Sequence, residues 1–136
     1  MFRQGPIPAF VHGLIEYAAG VLLIAAPFLF SFDDGSATAV SIIAGVVVLV
    51  ITASTAMSTG LIKSIPVQAH VMMDYVLAAV LIASPFLFGF SDDGTATAFF
   101  IILGVVHLLV TIGTRFIGEE QPPRRRRRGE PPAATR

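Results

Sequence analysis

Four apolar runs, at residues 9–30, 37–57, 67–88 and 96–117, are each long enough to cross a hydrocarbon core, which takes about 20 residues in a helix. A chain with four such runs in 136 residues has little left from which to build a water-facing surface. Only 13% of its residues are charged, against about a quarter in ordinary globular domains. The charges fall in the connections, in the tail and at a few isolated positions inside the runs rather than in amphipathic stripes. A spanning segment must satisfy its own backbone hydrogen bonds, and the runs lack the strict alternation of membrane barrel strands, so all four are read as helices. The first run holds His12 and Glu16 and lacks a small-residue cleavage site after it, and it is read as a retained span rather than a signal peptide.

The chain repeats itself. Residues 7–32 align with 65–90 and, after one extra residue at Ser91, 33–57 align with 92–116, with about half the positions identical. Each unit holds two helices and returns to its starting side, so the copies are parallel. The expected fold is all-α: a polytopic membrane protein of four transmembrane helices in two tandem parallel hairpins, with a disordered basic C-terminal tail. The corresponding segments are 1–62, 63–117 and 118–136.

Cations mark the cytoplasmic side of a span. Arg3, Lys63, Arg115 and the block Arg124, Arg125, Arg126, Arg127 and Arg128 all lie on one side of the expected topology. The other two connections carry Asp33, Asp34, Asp92 and Asp93 and no cation. The expectation is a multi-pass protein of the cell (inner) membrane with both termini cytoplasmic. The tail has prolines, the arginine block and nothing apolar larger than alanine, and it is expected to be disordered and to touch anionic lipid headgroups rather than nucleic acid.

The repeated corner, APFLFSFDDGSATA and SPFLFGFSDDGTATA, reads as a hairpin turn. Pro27 and Pro85 would each free a backbone carbonyl, of Leu23 or Leu81, and bend or stop the helix. Phe28, Phe30, Phe32, Phe86, Phe88 and Phe90 would seat that end at the interface, and Asp-Asp-Gly would turn the chain, with Ser36 and Thr95 as caps. Calcium binding by these aspartates is disfavoured, since the loops are too short for regular oxygen ligation. Small residues at four-residue spacing, Ala37, Ser41 and Gly45, then Ala79 and Ala83, would permit close helix contact.

On these residues the chain resembles the SPW-repeat membrane proteins, whose unit is a helix pair with a Ser-Pro-Trp signature near the end of its first helix. The matching positions are Ala26-Pro27-Phe28 and Ser84-Pro85-Phe86, with phenylalanine for tryptophan in both copies. The following glycine-phenylalanine is kept as Gly89-Phe90 and changed to Ser31-Phe32. The resemblance implies architecture and bacterial membrane residence, and it assigns no activity or catalytic residue.

The chemistry-bearing residues lie toward the opposite end of the helices. IPAFVHGLIEY and IPVQAHVMMDY set His12 four residues before Glu16 and His70 four before Asp74, each followed by Tyr17 or Tyr75. That spacing puts imidazole and carboxylate on one helical face, with the carboxylates about 12 Å along the helix. His107 should lie at the same depth on the last helix, where the second helix has Val48. Ionisable groups at that depth face a bundle interior and pair, or line a path. Self-satisfaction within the bundle, with a tyrosine hydroxyl taking part and His12 and His70 close enough to the interface to meet water, is the leading expectation. That makes the chain a structural or accessory membrane component. The alternative is a proton-coupled or small-solute transport element, and a metal or haem site ranks below it. No nucleophile and base pair, phosphate loop or dinucleotide fingerprint is present, so no enzyme activity, cofactor or metal is expected. The thin bundle leaves room for association into a homodimer or a larger membrane complex.

Overall fold

The computed structural model describes residues 5–116 and runs β1 (Ile7–Pro8), α1 (Ala9–Leu29), α2 (Gly35–Ser54), α3 (Val67–Leu87), α4 (Gly94–Gly113) and β2 (Thr114–Arg115). All four helices are long and apolar enough to cross a membrane. Pro8 and Pro66 fix the starts of α1 and α3, each extended at ψ 145 immediately before the first helical residue, as a proline at a helix entrance does. Helices α2 and α4 stop at Ser54 and Gly113, three to four residues before the ends of the apolar runs. The reason is a change of pairing partner, since Thr55 and Thr114 turn extended at ψ 143 and 141 and join neighbouring chain.

At the hairpin corners the helices continue past Pro27 and Pro85 to Leu29 and Leu87. What ends them is a left-handed residue, Ser31 at φ 53 or Gly89 at φ 74. The amide of Phe32 then donates to the carbonyl of Pro27 at 3.0 Å, and that of Phe90 to Pro85 at 2.9 Å, the six-to-one closure of a Schellman end. Glycine takes this conformation without strain and serine does not, so the second corner holds the better residue. The carbonyl of Leu23, which Pro27 deprives of its amide, receives the Ser41 hydroxyl of α2 at 2.6 Å. In the second copy the counterpart of Ser41 is Phe100, which cannot donate.

The caps are Asp34 and Asp93 rather than Ser36 and Thr95. Asp34 accepts from the amides of Ser36 and Ala37 at 2.6 and 3.1 Å, and Asp93 from Ala96 at 3.0 Å. A carboxylate two residues earlier reaches free amides of the first turn and meets the positive end of the helix. The aromatics divide as well. Phe28, Phe30, Phe86 and Phe88 face outward, whereas Phe90 is buried with Phe100 at a ring separation of 5.0 Å, and Phe32 stacks on Phe99 at 5.6 Å.

Within the first hairpin α1 and α2 meet at Gly20 and Gly45, so closely that a Cβ on Gly45 would stand 2.6 Å from the Gly20 carbonyl. The second hairpin uses Ala78 against Gly104. Ala79, expected at this seam, is exposed instead. The hairpins join at both ends. At one end each copy's entrance pairs with the other copy's exit: Ile7 with Thr114 and Ile65 with Thr55, both parallel. At the aspartate end, Asp93 Oδ2 accepts the amides of Asp33 and Asp34 at 2.8 and 3.1 Å.

Asp93 therefore caps its own helix and ties down the other hairpin's turn. Desolvation pushes its carboxyl up, but the amides of Ala96, Asp34, Asp33 and Thr95 together outweigh this and hold it below the ordinary aspartate range. A depressed folded-state value means that the unfolded chain binds more protons in acid. The contribution to stability is complete above the unfolded-state value of about 3.9 and is lost as pH falls through the lower folded value. Asp93→Asn, whose amide cannot accept at both sites, should lower the thermal midpoint in detergent at neutral pH and flatten its fall in acid. An unchanged acid limb would assign that limb to another group.

Candidate functional site

The exchange of entrances and exits fixes what lies inside. Because His12 and His70 sit in the first turn of α1 and α3, swapping the strands sets each histidine beside the last turn of the other hairpin's second helix. His12 Nδ1 lies 2.9 Å from Thr114 Oγ1, and His70 Nδ1 lies 3.0 Å from Thr55 Oγ1. One turn further in, Glu16 and Asp74 turn toward the same axis. The shorter pairs cross between hairpins: His12 Nε2 to Asp74 Oδ2 at 3.2 Å and His70 Nε2 to Glu16 Oε2 at 3.2 Å. Those along a helix are 3.4 Å for His12 to Glu16 and 3.5 Å for His70 to Asp74.

The ring of four is sealed. Both histidines are 0% exposed and both carboxylates 2%, so neither histidine sits where interfacial water would meet it. Phe116 closes the basic end, its ring 5.0 Å from that of His12 and 6.5 Å from that of His70, in a buried cluster with Met57, Ala9, Val67 and Val71. The Thr52 hydroxyl, with one proton, lies 2.8 Å from the Val48 carbonyl and 3.1 Å from Glu16 Oε2. Its counterpart Thr111 bonds the carbonyl of His107 at 3.0 Å. Asp74, one methylene shorter than Glu16, is approached by His107, whose Nε2 lies 3.8 Å from Asp74 Oδ1. The position that breaks the repeat, Val48 against His107, thus faces the position where the carboxylate is shortened.

Of the candidate polar residues, His12, Glu16, His70, Asp74 and His107 come together and the tyrosines do not. The Tyr17 hydroxyl donates to the carbonyl of Thr59 at 3.0 Å, and Tyr75 lies on the outer surface. Each tyrosine is one residue past its carboxylate, about 100° around the helix, and so leaves the inner face. Of the repeat motif, Ala26, Pro27, Ser84 and Pro85 are buried, whereas Phe28 and Phe86, in the tryptophan position, point outward. Arg124 to Arg128 lie outside the described residues. Thr52, Thr55, Thr111, Thr114 and Phe116 were not expected at the site. The threonines had a signal, since both pairs are identical between copies in runs that otherwise vary.

Two pseudo-equivalent hairpins of membrane length around a closed polar centre define a polytopic helical membrane protein. The SPW repeat domain matches residues 10–114, and the chain belongs to that family. No curated protein and no solved structure matches it.

Proposed function

We propose that this chain is a structural or accessory component of the bacterial inner membrane, without enzymatic activity, whose two hairpins are clamped by the buried ring of His12, Glu16, His70 and Asp74. The observation that carries the reading is the crossing of the shorter ion pairs between hairpins inside a sealed volume. A buried ionic set of this kind fixes register and orientation more than it adds stability. Lys63 and Arg115 lie at the end where entrances and exits pair, and the four aspartates lie at the other, which supports cytoplasmic termini by the distribution of positive charge. The tail arginines would add headgroup contacts on that side. The exposed apolar flanks of the helices would face lipid, a second copy or a larger complex.

The same residues in a transport route would need water at one of them at least, and their burial favours the clamp. Reconstituting the chain with Glu16→Gln and Asp74→Asn separates the two. The expected result is impaired assembly or a lowered thermal midpoint, and no pH-driven flux in the parent chain to lose. Intact folding together with a pH-dependent flux that these substitutions abolish would sink the clamp and establish transport.

A further inference from the structure

We propose that the ring of His12, Glu16, His70 and Asp74 is a binding site for one zinc-like divalent transition-metal ion. The assignment deepens the clamp reading, because the ion would close the same seam between hairpins.

Three observations converge on it. Each residue offers one ligand atom, two imidazole nitrogens and two carboxylate oxygens, and the four lie within 4.8 Å of one another in full burial. The nitrogen-to-oxygen approaches are 3.2 to 3.5 Å. Ligands bound tetrahedrally at about 2.0–2.1 Å stand about 3.3 Å apart, and Asp74 Oδ2 already has that spacing to both histidines. Glu16 meets His12 through Oε1 and His70 through Oε2, so binding requires one Glu16 oxygen to turn to the centre and the set, now within 4.8 Å, to draw in.

Second, the contacts have the separation of ion pairs without the geometry of hydrogen bonds. Among the described residues, Nε2 of His12, Nε2 of His70 and Oδ2 of Asp74 have no hydrogen-bond partner, although all three are buried. Orphaned polar atoms in such a place are costly. Buried polar atoms this close together that do not bond one another are what a central ion would satisfy.

Third, the outer contacts prepare both histidines for ligation. The Thr55 hydroxyl donates its one proton to the carbonyl of Ile51 at 2.7 Å, and Thr114 donates to Val110 at 2.6 Å. Each threonine oxygen is then left to accept from the histidine Nδ1–H. In a neutral imidazole this fixes the tautomer and leaves the Nε2 lone pair directed inward, the arrangement that partners of metal-bound histidines impose. Without the ion, protons on the two Nε2 atoms make the ion pairs of the clamp. The divalent ion takes the place of those two protons, since two bare lone pairs facing two carboxylates would repel. A divalent ion with two neutral histidines and two carboxylates makes the ring electrically neutral, as a buried site demands. Imidazole with carboxylate suits zinc, iron or manganese rather than the softer metals that thiolates select. Haem does not fit, because Glu16 and Asp74 occupy the space between the histidines that a macrocycle would need.

The test uses the full chain, purified in detergent without a polyhistidine tag, stripped with chelator and titrated with cobalt(II). The expected result is saturation at about one ion per chain with the intense visible absorption of tetrahedral coordination, displaced by zinc. Replacing both threonines, Thr55→Val with Thr114→Val, keeps every ligand and should weaken cobalt binding about 10- to 100-fold. A role for the threonines in packing alone would leave that affinity unchanged. Two outcomes overturn the proposal: a helical, monodisperse chain that takes up no cobalt, or cobalt binding whose spectrum and affinity are the same in the His70→Gln chain. Either result leaves the clamp standing, since the clamp is judged by assembly of the Glu16 and Asp74 variant.

Discussion

A Glu16→Ala chain should lose about 3–5 kcal/mol of stability, the usual cost of removing one partner from a buried ionic set. Glu16 is shared by His12 and His70, so its loss leaves two histidines in a dry volume with one remaining carboxylate at Asp74. Substituting all four members with apolar residues of similar volume should behave differently. Dry, well-packed replacements for buried ions are neutral or stabilising, and the threonine hydroxyls keep their own backbone carbonyls. Thermal unfolding in detergent would show a large fall for the single variant and near-parental stability for the quadruple one. Pairing of the hairpins in the quadruple variant, read by cross-linking cysteines placed in this cysteine-free chain at Ile7 and Thr114, should become heterogeneous as the charge pairs that cross between hairpins vanish. Equal losses in the two variants would mean that the ring stabilises outright and does not set register.

The sequence made the helices and the repeat legible because both depend on patterns along the chain: apolar length, and identity at a fixed offset. It also put His12 with Glu16 and His70 with Asp74, since four residues along a helix is a local relation. The crossing of those pairs was not legible. It depends on Ile7 joining Thr114 and Ile65 joining Thr55, contacts made by one pair of two-residue strands and one isolated bridge, with Thr55 and Thr114 inside segments that hydropathy treats as helix ends. The same exchange explains why Thr55 and Thr114 were passed over, as a threonine near a helix end has no local reason to serve a histidine on another hairpin. The caps lie two positions before the expected residues for the opposite reason. Asp34 and Ser36 are both good cap residues, and only the backbone path, with Asp34 extended at φ −92 and ψ 128, decides between them. His107 was placed by depth alone, and depth fixes a level in the membrane but not a facing direction.

The proline in the repeated corner carries the second large effect. Pro27 has no amide to give the Leu23 carbonyl, yet Leu23 is 1% exposed and water does not reach it. Ser41, also fully buried, fills that vacancy from the neighbouring helix. Ser41→Ala should therefore cost about 1–3 kcal/mol, the penalty for stranding a buried acceptor, and more than a serine that merely bonds within its own helix. Pro27→Ala supplies the missing amide from within α1, so in that background Ser41→Ala should cost much less. A double-mutant cycle read by thermal unfolding in detergent would then show a coupling of about 1 kcal/mol or more, as expected for residues sharing one partner. The second copy offers the reverse experiment. Leu81 stands in the same relation to Pro85, but Phe100 occupies the position of Ser41 and stacks on Phe90, so that corner gives up the hydroxyl in favour of aromatic packing. Phe100→Ser should recover little there, because the hydrogen bond it allows is offset by the cavity left beside Phe90. Additive losses at Pro27 and Ser41 would show that the serine holds the helices together by packing alone, and that the corner tolerates its unpaired carbonyl.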